Sequence, residues 1–326
     1  MFKQSIYLFL ILFSFSGSSQ TTIIDSETRH PVSYATISFG NGQGVFADDE
    51  GKFLFTEKMY PNIDSIFVSA LGFKDLSIAT VNLPEKIELE PHIDKLDEVV
   101  IRVKIDRKFK EEKLKPYLDD DYYKCWLPTI ESEIAVLFNN PDDKLKKLTK
   151  VHLPIALESI DWKKRNKSNA EKKPFSTLFK VNIYENNNGF PGKPLIYENI
   201  IFRVTEKDGD EYHLDVSSND VFMPKTGLFI SIQVLGYTDK AGKLLPNKKY
   251  KEIKSREGTV KIPTNFRPLL PFTDQISANN TFIKRVFVDK NQWTQFKKGN
   301  IDDSSLLSAG LSNYGMGISF NVYKEE

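Results

Sequence analysis

Cysteine is almost missing from these 326 residues: Cys125 stands alone. That excludes an internal disulfide and any site built from several thiolates. A surplus of either charge is missing too. Lys and Arg number 45 against 44 Asp and Glu, a formal net charge of +1, whereas a dedicated nucleic-acid binder needs basic excess to displace counterions from phosphates. Beyond the first fifteen residues no apolar run is long enough to cross a bilayer, which takes about 20 residues. His-Glu-x-x-His, Gly-x-Ser-x-Gly and Gly-x-x-x-x-Gly-Lys-Ser/Thr are all lacking, so no zinc-peptidase, hydrolase-elbow or phosphate-loop signature is present. Helical periodicity is scarce throughout. What remains is 40% hydrophobic and 27% charged, the composition of a globular protein of two domains.

The first nineteen residues read as a secretory leader. Lys3 gives a positive start, Ile6 to Phe15 an apolar run of ten, and Ser16-Gly17-Ser18-Ser19 the small residues of a cleavage site before Gln20. The run is too short for a membrane span, so the chain is expected to be exported, to the periplasm, the outer membrane or the medium, with no integral membrane segment after cleavage.

From Thr21 to Val103 apolar residues alternate with polar ones. Ala35, Ile37 and Phe39 form one set, Ile66, Val68 and Ala70 another, Ile87 and Leu89 a third. Period two puts one face of a strand on a core. Turn clusters at Asp25–Thr28, Gly40–Gly42, Asp48–Gly51 and Tyr60–Asp64 separate short strands, the pattern of a β-sandwich. Gly51 is expected at a turn needing φ > 0, with Asp48 or Asp49 capping it through its side chain, and Gly72 is expected to let the chain bend tightly after a buried strand. Calcium is the rival use of Asp48-Asp49-Glu50, but it takes about 6–8 spaced oxygens.

Pro31, Ala35, the Asp49-x-Gly51-x-Phe53 hairpin, Gly72-Phe73 and Leu96 to Ile101 occur in an order that resembles the carboxypeptidase-regulatory-like domain. The resemblance covers about a quarter of the chain. It implies a transthyretin-like β-sandwich of the kind common in exported proteins of Bacteroidetes-type bacteria. The first strand departs from the family by lacking a glycine before Asp25. In zinc carboxypeptidases such a domain is an appendage to a metal-bearing α/β domain of about 300 residues, and the remainder here is too short and too β-like for that. The domain also precedes outer-membrane receptors, but a 22-stranded barrel needs about 220 residues for strands alone, leaving no room for plug and loops.

Arg102 to Lys115 is charge-rich, with Ile105, Phe109 and Leu114 spaced for a short helix that Pro116 ends. It reads as a linker within residues 104–131. Alternation returns at Glu133–Phe138, Leu148–Ile155, Ser176–Tyr184, Ile196–Val204, Glu211–Val216, Leu228–Leu235, Thr281–Val288 and Gly317–Tyr323. The fold class is therefore all-β: a leader at 1–19, a first sandwich at 20–103, the linker, and a second antiparallel sandwich of jelly-roll type at 132–326.

Three residue sets bear on function. Trp126, Trp162 and Trp293, with Tyr122, Tyr123 and Tyr314, lie near turns or strand ends, where an exposed ring can stack on a sugar. His152, His213 and Asp215 are the nameable members of a site assembled from distant residues. Cys125 reads as a buried thiol, and Asp119-Asp120-Asp121 as a solvated loop or cap. The expectation is a non-catalytic envelope binding or adaptor protein. A carbohydrate binder, or an accessory to a peptidase or an uptake system, stands beside it. Its partner is an envelope protein or a glycan, without cofactor, metal or nucleic acid.

Overall fold

The structure, a computed structural model, describes residues 20–40, 42–92, 107–119, 121–142, 144–165, 167, 169–246, 251–255, 258–262, 264–288, 292–302 and 304–324. The expected leader, the motif from Leu96 to Ile101 and Asp120 lie outside the described residues.

The protein is all-β. The first sandwich uses β1 (Gln20–Asp25), β2 (Thr36–Gly40), β3 (Gln43–Phe46), β4 (Lys52–Leu54), β5 (Ser65–Ser69), β6 (Leu76–Ala79) and β7 (Lys86–Leu89). One sheet runs β4-β1-β7 and the other β3-β2-β5-β6. β1 and β7 pair in parallel, every other pair being antiparallel. The alternating apolar residues meet between the sheets: Ile23, Ile37, Ile66, Val68, Ile87 and Leu89 are all fully buried. At the hairpin into β4, Asp48 makes the cap. Its Oδ1 accepts from the backbone N–H of Glu50 at 3.0 Å and of Lys52 at 2.8 Å. Asp49, the other candidate for the cap, instead offers its carbonyl to Ser33 Oγ at 2.6 Å. Gly51 sits at φ +71°, and a Cβ there would lie 2.5 Å from the Ile23 carbonyl, so only glycine fits. Gly72 adopts φ +84°.

The second unit begins earlier than its alternation suggests. β8 (Phe109–Leu114) was expected as helical linker, yet it is a strand paired antiparallel with a C-terminal one. It is an edge strand exposed on both faces, so no apolar stripe betrays it. After β9 (Cys125–Trp126) come β10 (Ser132–Phe138), β11 (Lys146–Pro154), β12 (Ser176–Asn187), β13 (Phe190–Pro194), β14 (Ile200–Thr205), β15 (Glu211–Asp215) and β16 (Leu228–Tyr237). The hairpin β17 (Lys251–Ser255) and β18 (Gly258–Ile262) follows. Then come β19 (Leu270–Thr273), β20 (Thr281–Arg285), β21 (Thr294–Gln295), the short α1 (Ser305–Ser308), β22 (Asn313–Tyr314) and β23 (Gly317–Tyr323). One sheet is ordered β8-β23-β11-β15. The facing sheet contains β10-β16-β12-β14, extended by β20 and β21 beyond β10. As the chain passes back and forth between them, these eight strands wind as a jelly roll. Ile134, Val136, Phe179, Val181, Ile230 and Ile232 on one sheet pack against Leu148, Val151, Leu153, Ile318 and Phe320 on the other.

Two features of this sandwich depart from a plain two-layer packing. A β-bulge between Leu148 and Lys150 shifts the register of β11 against β23. Strict alternation from Leu148 would send His152 inward. The extra residue re-aims the strand, so Val151 and Leu153 face the core and His152 faces out. Second, the sandwiches are joined by a packed seam. Phe287 packs tilted against Phe46 with ring centres 5.3 Å apart, and its carbonyl accepts from Gly42 N at 3.2 Å and Ser38 Oγ at 2.9 Å.

Candidate functional site

The three tryptophans fall in three environments. Trp126 is half-buried, stacked on Phe272 at 5.8 Å and edge-on to Phe296 at 5.5 Å. Its indole Nε1 is buried without a partner among the described residues, so it fills the rim of the core and offers no sugar platform. Trp293 is half-buried behind the large sheet, edge-on to Tyr184 at 5.7 Å, with Lys284 Nζ 4.7 Å from its ring. Trp162 is 40% exposed and has Tyr122 and Tyr123 edge-on at 5.1 Å and 6.4 Å. Tyr123 is 68% exposed. Tyr314 is fully buried and donates its hydroxyl to the Pro154 carbonyl.

Local turns hold this aromatic triad in place. Asp121 caps the short 3-10 turn Tyr122–Lys124 by accepting from Tyr123 N at 3.1 Å, and Asp161 caps Trp162–Lys164 by accepting from Lys163 N at 3.0 Å. Arg165 lays its guanidinium 4.3 Å from the Trp162 ring centre. Beside Tyr123 opens a cavity of about 330 Å³ lined by Tyr117, Asp119, Asp121, Lys124, Asp274 and Gln275, among others. Asp119 Oδ2 accepts from Lys124 Nζ at 2.9 Å, and that hydrogen bond and charge raise the lysine pKa. Cys125, below this surface, is buried and donates its thiol to the Asp121 carbonyl at 3.2 Å.

The two histidines named from sequence do meet. His152 on β11 pairs across the ladder with His213 on β15, and their Nδ1 atoms lie 2.9 Å apart. The third member is Glu211, not Asp215. Glu211 Oε1 stands 2.9 Å from His152 Nδ1 and 3.3 Å from His213 Nδ1. Asp215 is taken by its own turn, accepting from Ser217 N at 2.9 Å and Ser217 Oγ at 2.6 Å. His152 is buried, with Nε2 2.8 Å from Ser319 Oγ on β23, while His213 is exposed. Lys113 on β8 reaches the same Glu211 oxygen at 3.3 Å. Burial pushes the His152 imidazole below its usual pKa, Lys113 adds to this, and Glu211 opposes it.

A buried charge network that sequence reasoning missed lies on the outer face of the large sheet. Glu133 Oε1 accepts from Asn182 Nδ2 at 2.9 Å, Tyr184 Oη at 2.7 Å and Ser231 Oγ at 2.5 Å. Its Oε2 pairs with Lys284 Nζ at 2.7 Å. Burial pushes this carboxyl up, but Lys284 and the hydroxyl donors outweigh that and hold it at about 2. The neighbouring Lys180 is lowered to about 8 by desolvation, against the pull of Glu133. The signal was present in Glu133 opening an otherwise apolar strand, Glu133–Phe138.

No protein-family model and no curated protein matches the chain. Among solved structures it is similar to the cysteine protease and lectin-like domains of Cwp84, a surface layer associated protein of Clostridium difficile. The identity is 12% and the TM-score 0.29, over 59% of this chain and 32% of that one. This chain thus spans about a third of that solved chain.

Proposed function

We propose that the protein is an exported, non-catalytic binding module of the cell envelope, and that its ligand is a glycan taken at the Tyr122–Tyr123–Trp162 surface. The observation that carries this reading is the pairing of exposed, pre-positioned rings with a cavity walled by carboxylates and an amide. A sugar ring presents C–H groups to an aromatic face and hydroxyls to polar side chains. Asp119, Asp121, Asp274 and Gln275 provide acceptors, and Lys124 a donor, within reach of a ring seated by Tyr123. The leader-like first nineteen residues support export, and the regulatory-like resemblance of the first sandwich supports an envelope setting. Among the described residues no helix is long and apolar enough to cross a membrane.

A glycan array probed with the wild-type protein, Trp162→Ala, Tyr123→Ala and Trp126→Phe tests this. Binding by wild type and Trp126→Phe, with roughly 10-fold or greater loss in the other two, is expected, the change that losing about 1.4 kcal/mol of ring contact produces. A wild-type protein that binds no glycan on the array sinks the reading.

A further inference from the structure

The cluster on the outer face of the four-stranded sheet has a property that hydrogen bonding does not explain. Three atoms, His152 Nδ1, His213 Nδ1 and Glu211 Oε1, approach one another at 2.9, 2.9 and 3.3 Å. Each imidazole nitrogen carries at most one proton, directed outward in the ring plane. If His152 Nδ1–H points to His213, then His213 meets the carboxylate with a lone pair. If both histidines donate to Glu211, their two protons face each other. No arrangement of protons that keeps Glu211 a carboxylate turns all three contacts into hydrogen bonds.

A cation satisfies all three contacts at once. An ion ~2.1 Å from each donor, the usual Zn–N and Zn–O length, sits about 1 Å out of the plane of this triangle. The surroundings suit it. His152 Nε2 lies 2.8 Å from buried Ser319 Oγ. Donating there leaves Nδ1 as the free lone pair, the outer-shell arrangement that metal-bound histidines use. Glu211 and His213 stand two apart on β15, so both project from one face beside the cross-strand His152. The β11 bulge is what delivers His152 to that face.

The geometry points to a divalent transition-metal site made by His152, Glu211 and His213. Two imidazoles with one carboxylate select ions such as Zn²⁺, Co²⁺ or Ni²⁺ over Ca²⁺ and Mg²⁺, which take all-oxygen sets. Lys113 is the opposing group. Its ammonium shares the Glu211 oxygen at 3.3 Å and must swing away on its flexible stem for the ion to bind. This inference is independent of the glycan surface.

The test is calorimetric titration of chelator-stripped, untagged protein with ZnCl₂, repeated with CoCl₂ while recording visible absorption. One equivalent is expected to bind, with a cobalt spectrum of nitrogen–oxygen coordination, and excess Ca²⁺ or Mg²⁺ should not compete. His213→Ala changes an exposed side chain and so folds normally. It and Glu211→Gln should weaken binding by more than the roughly 10–100-fold expected for Ser319→Ala, which removes only an outer-shell partner. Lys113→Met should tighten it. Absence of saturable Zn²⁺ binding by the wild type, or binding unchanged in His213→Ala, overturns the assignment.

Discussion

The outer faces of the two second-domain sheets both gather polar and ionisable side chains, and they do so in opposite ways. Behind the large sheet, Glu133 has every oxygen occupied by a donor: Asn182, Tyr184 and Ser231 on one, Lys284 on the other. Behind the small sheet, His152, His213 and Glu211 bring three polar atoms together, and protons alone do not fill all three contacts. A completed network is a structural device, because nothing is left over to engage a ligand. A convergent, incompletely satisfied one has capacity to spare. The buried Glu133 holds its sheet, whereas the partly exposed histidine cluster offers a site.

The largest way to sharpen this contrast is Glu133→Ala. It strands the Lys284 ammonium against Tyr184 and Trp293, and should destabilise the fold by about 3–5 kcal/mol, as breaking a buried pair from one side does. Chemical denaturation of the variant against wild type measures it. Acid is the next lever. The Glu133 carboxyl is held at about 2, below its ordinary 4.5. Its folded-state pKa is depressed, so its stabilisation is complete above pH 4.5 and fades as pH falls toward 2. Roughly 3 kcal/mol is expected to be lost across that window, and the Glu133→Ala protein should show a correspondingly flatter curve. A smaller effect of opposite sign is expected from Lys180→Met. The lysine is lowered to about 8 by desolvation, and replacing it with an apolar side chain of similar length should raise stability at neutral pH by about 1 kcal/mol. Least of all, His213→Ala in metal-free buffer should shift stability by under about 0.5 kcal/mol, as exposed positions do. A loss as large as that of Glu133→Ala would erase the distinction between the two faces.

Much of the architecture was legible because alternation reports a half-buried strand. The bounds of β23 follow from Gly317 to Tyr323 directly, and the runs at Glu133 and Leu228 mark β10 and β16. β8 was not legible. Phe109–Leu114 lies at a sheet edge with both faces in water, so Lys110, Glu111 and Glu112 have no apolar partners to alternate with. The histidine cluster was half legible. His152 and His213 stood out as rare residues, but Glu211 and Asp215 flank His213 symmetrically at two residues on either side. Only the Ser217 turn, which occupies Asp215, breaks the tie. The aromatic set was similarly mixed. Sequence places Trp126, Trp162 and Trp293 all near turns, and only three-dimensional packing separates the exposed ring from the one wedged between Phe272 and Phe296.

The position of β23 has a temporal consequence. It is an inner strand, hydrogen-bonded on one side to β11 and on the other to β8. While a nascent chain is still emerging, β8 has no neighbour to dock onto and β11 is paired only on its β15 side, so the small sheet is left open between them. Closure waits for the arrival of Gly317–Tyr323, so this half of the molecule assembles late and all together. A ribosome-stalled chain halted before Gly317 should remain protease-sensitive from Phe109 onward, while the strands from Gln20 to Leu89 already resist digestion.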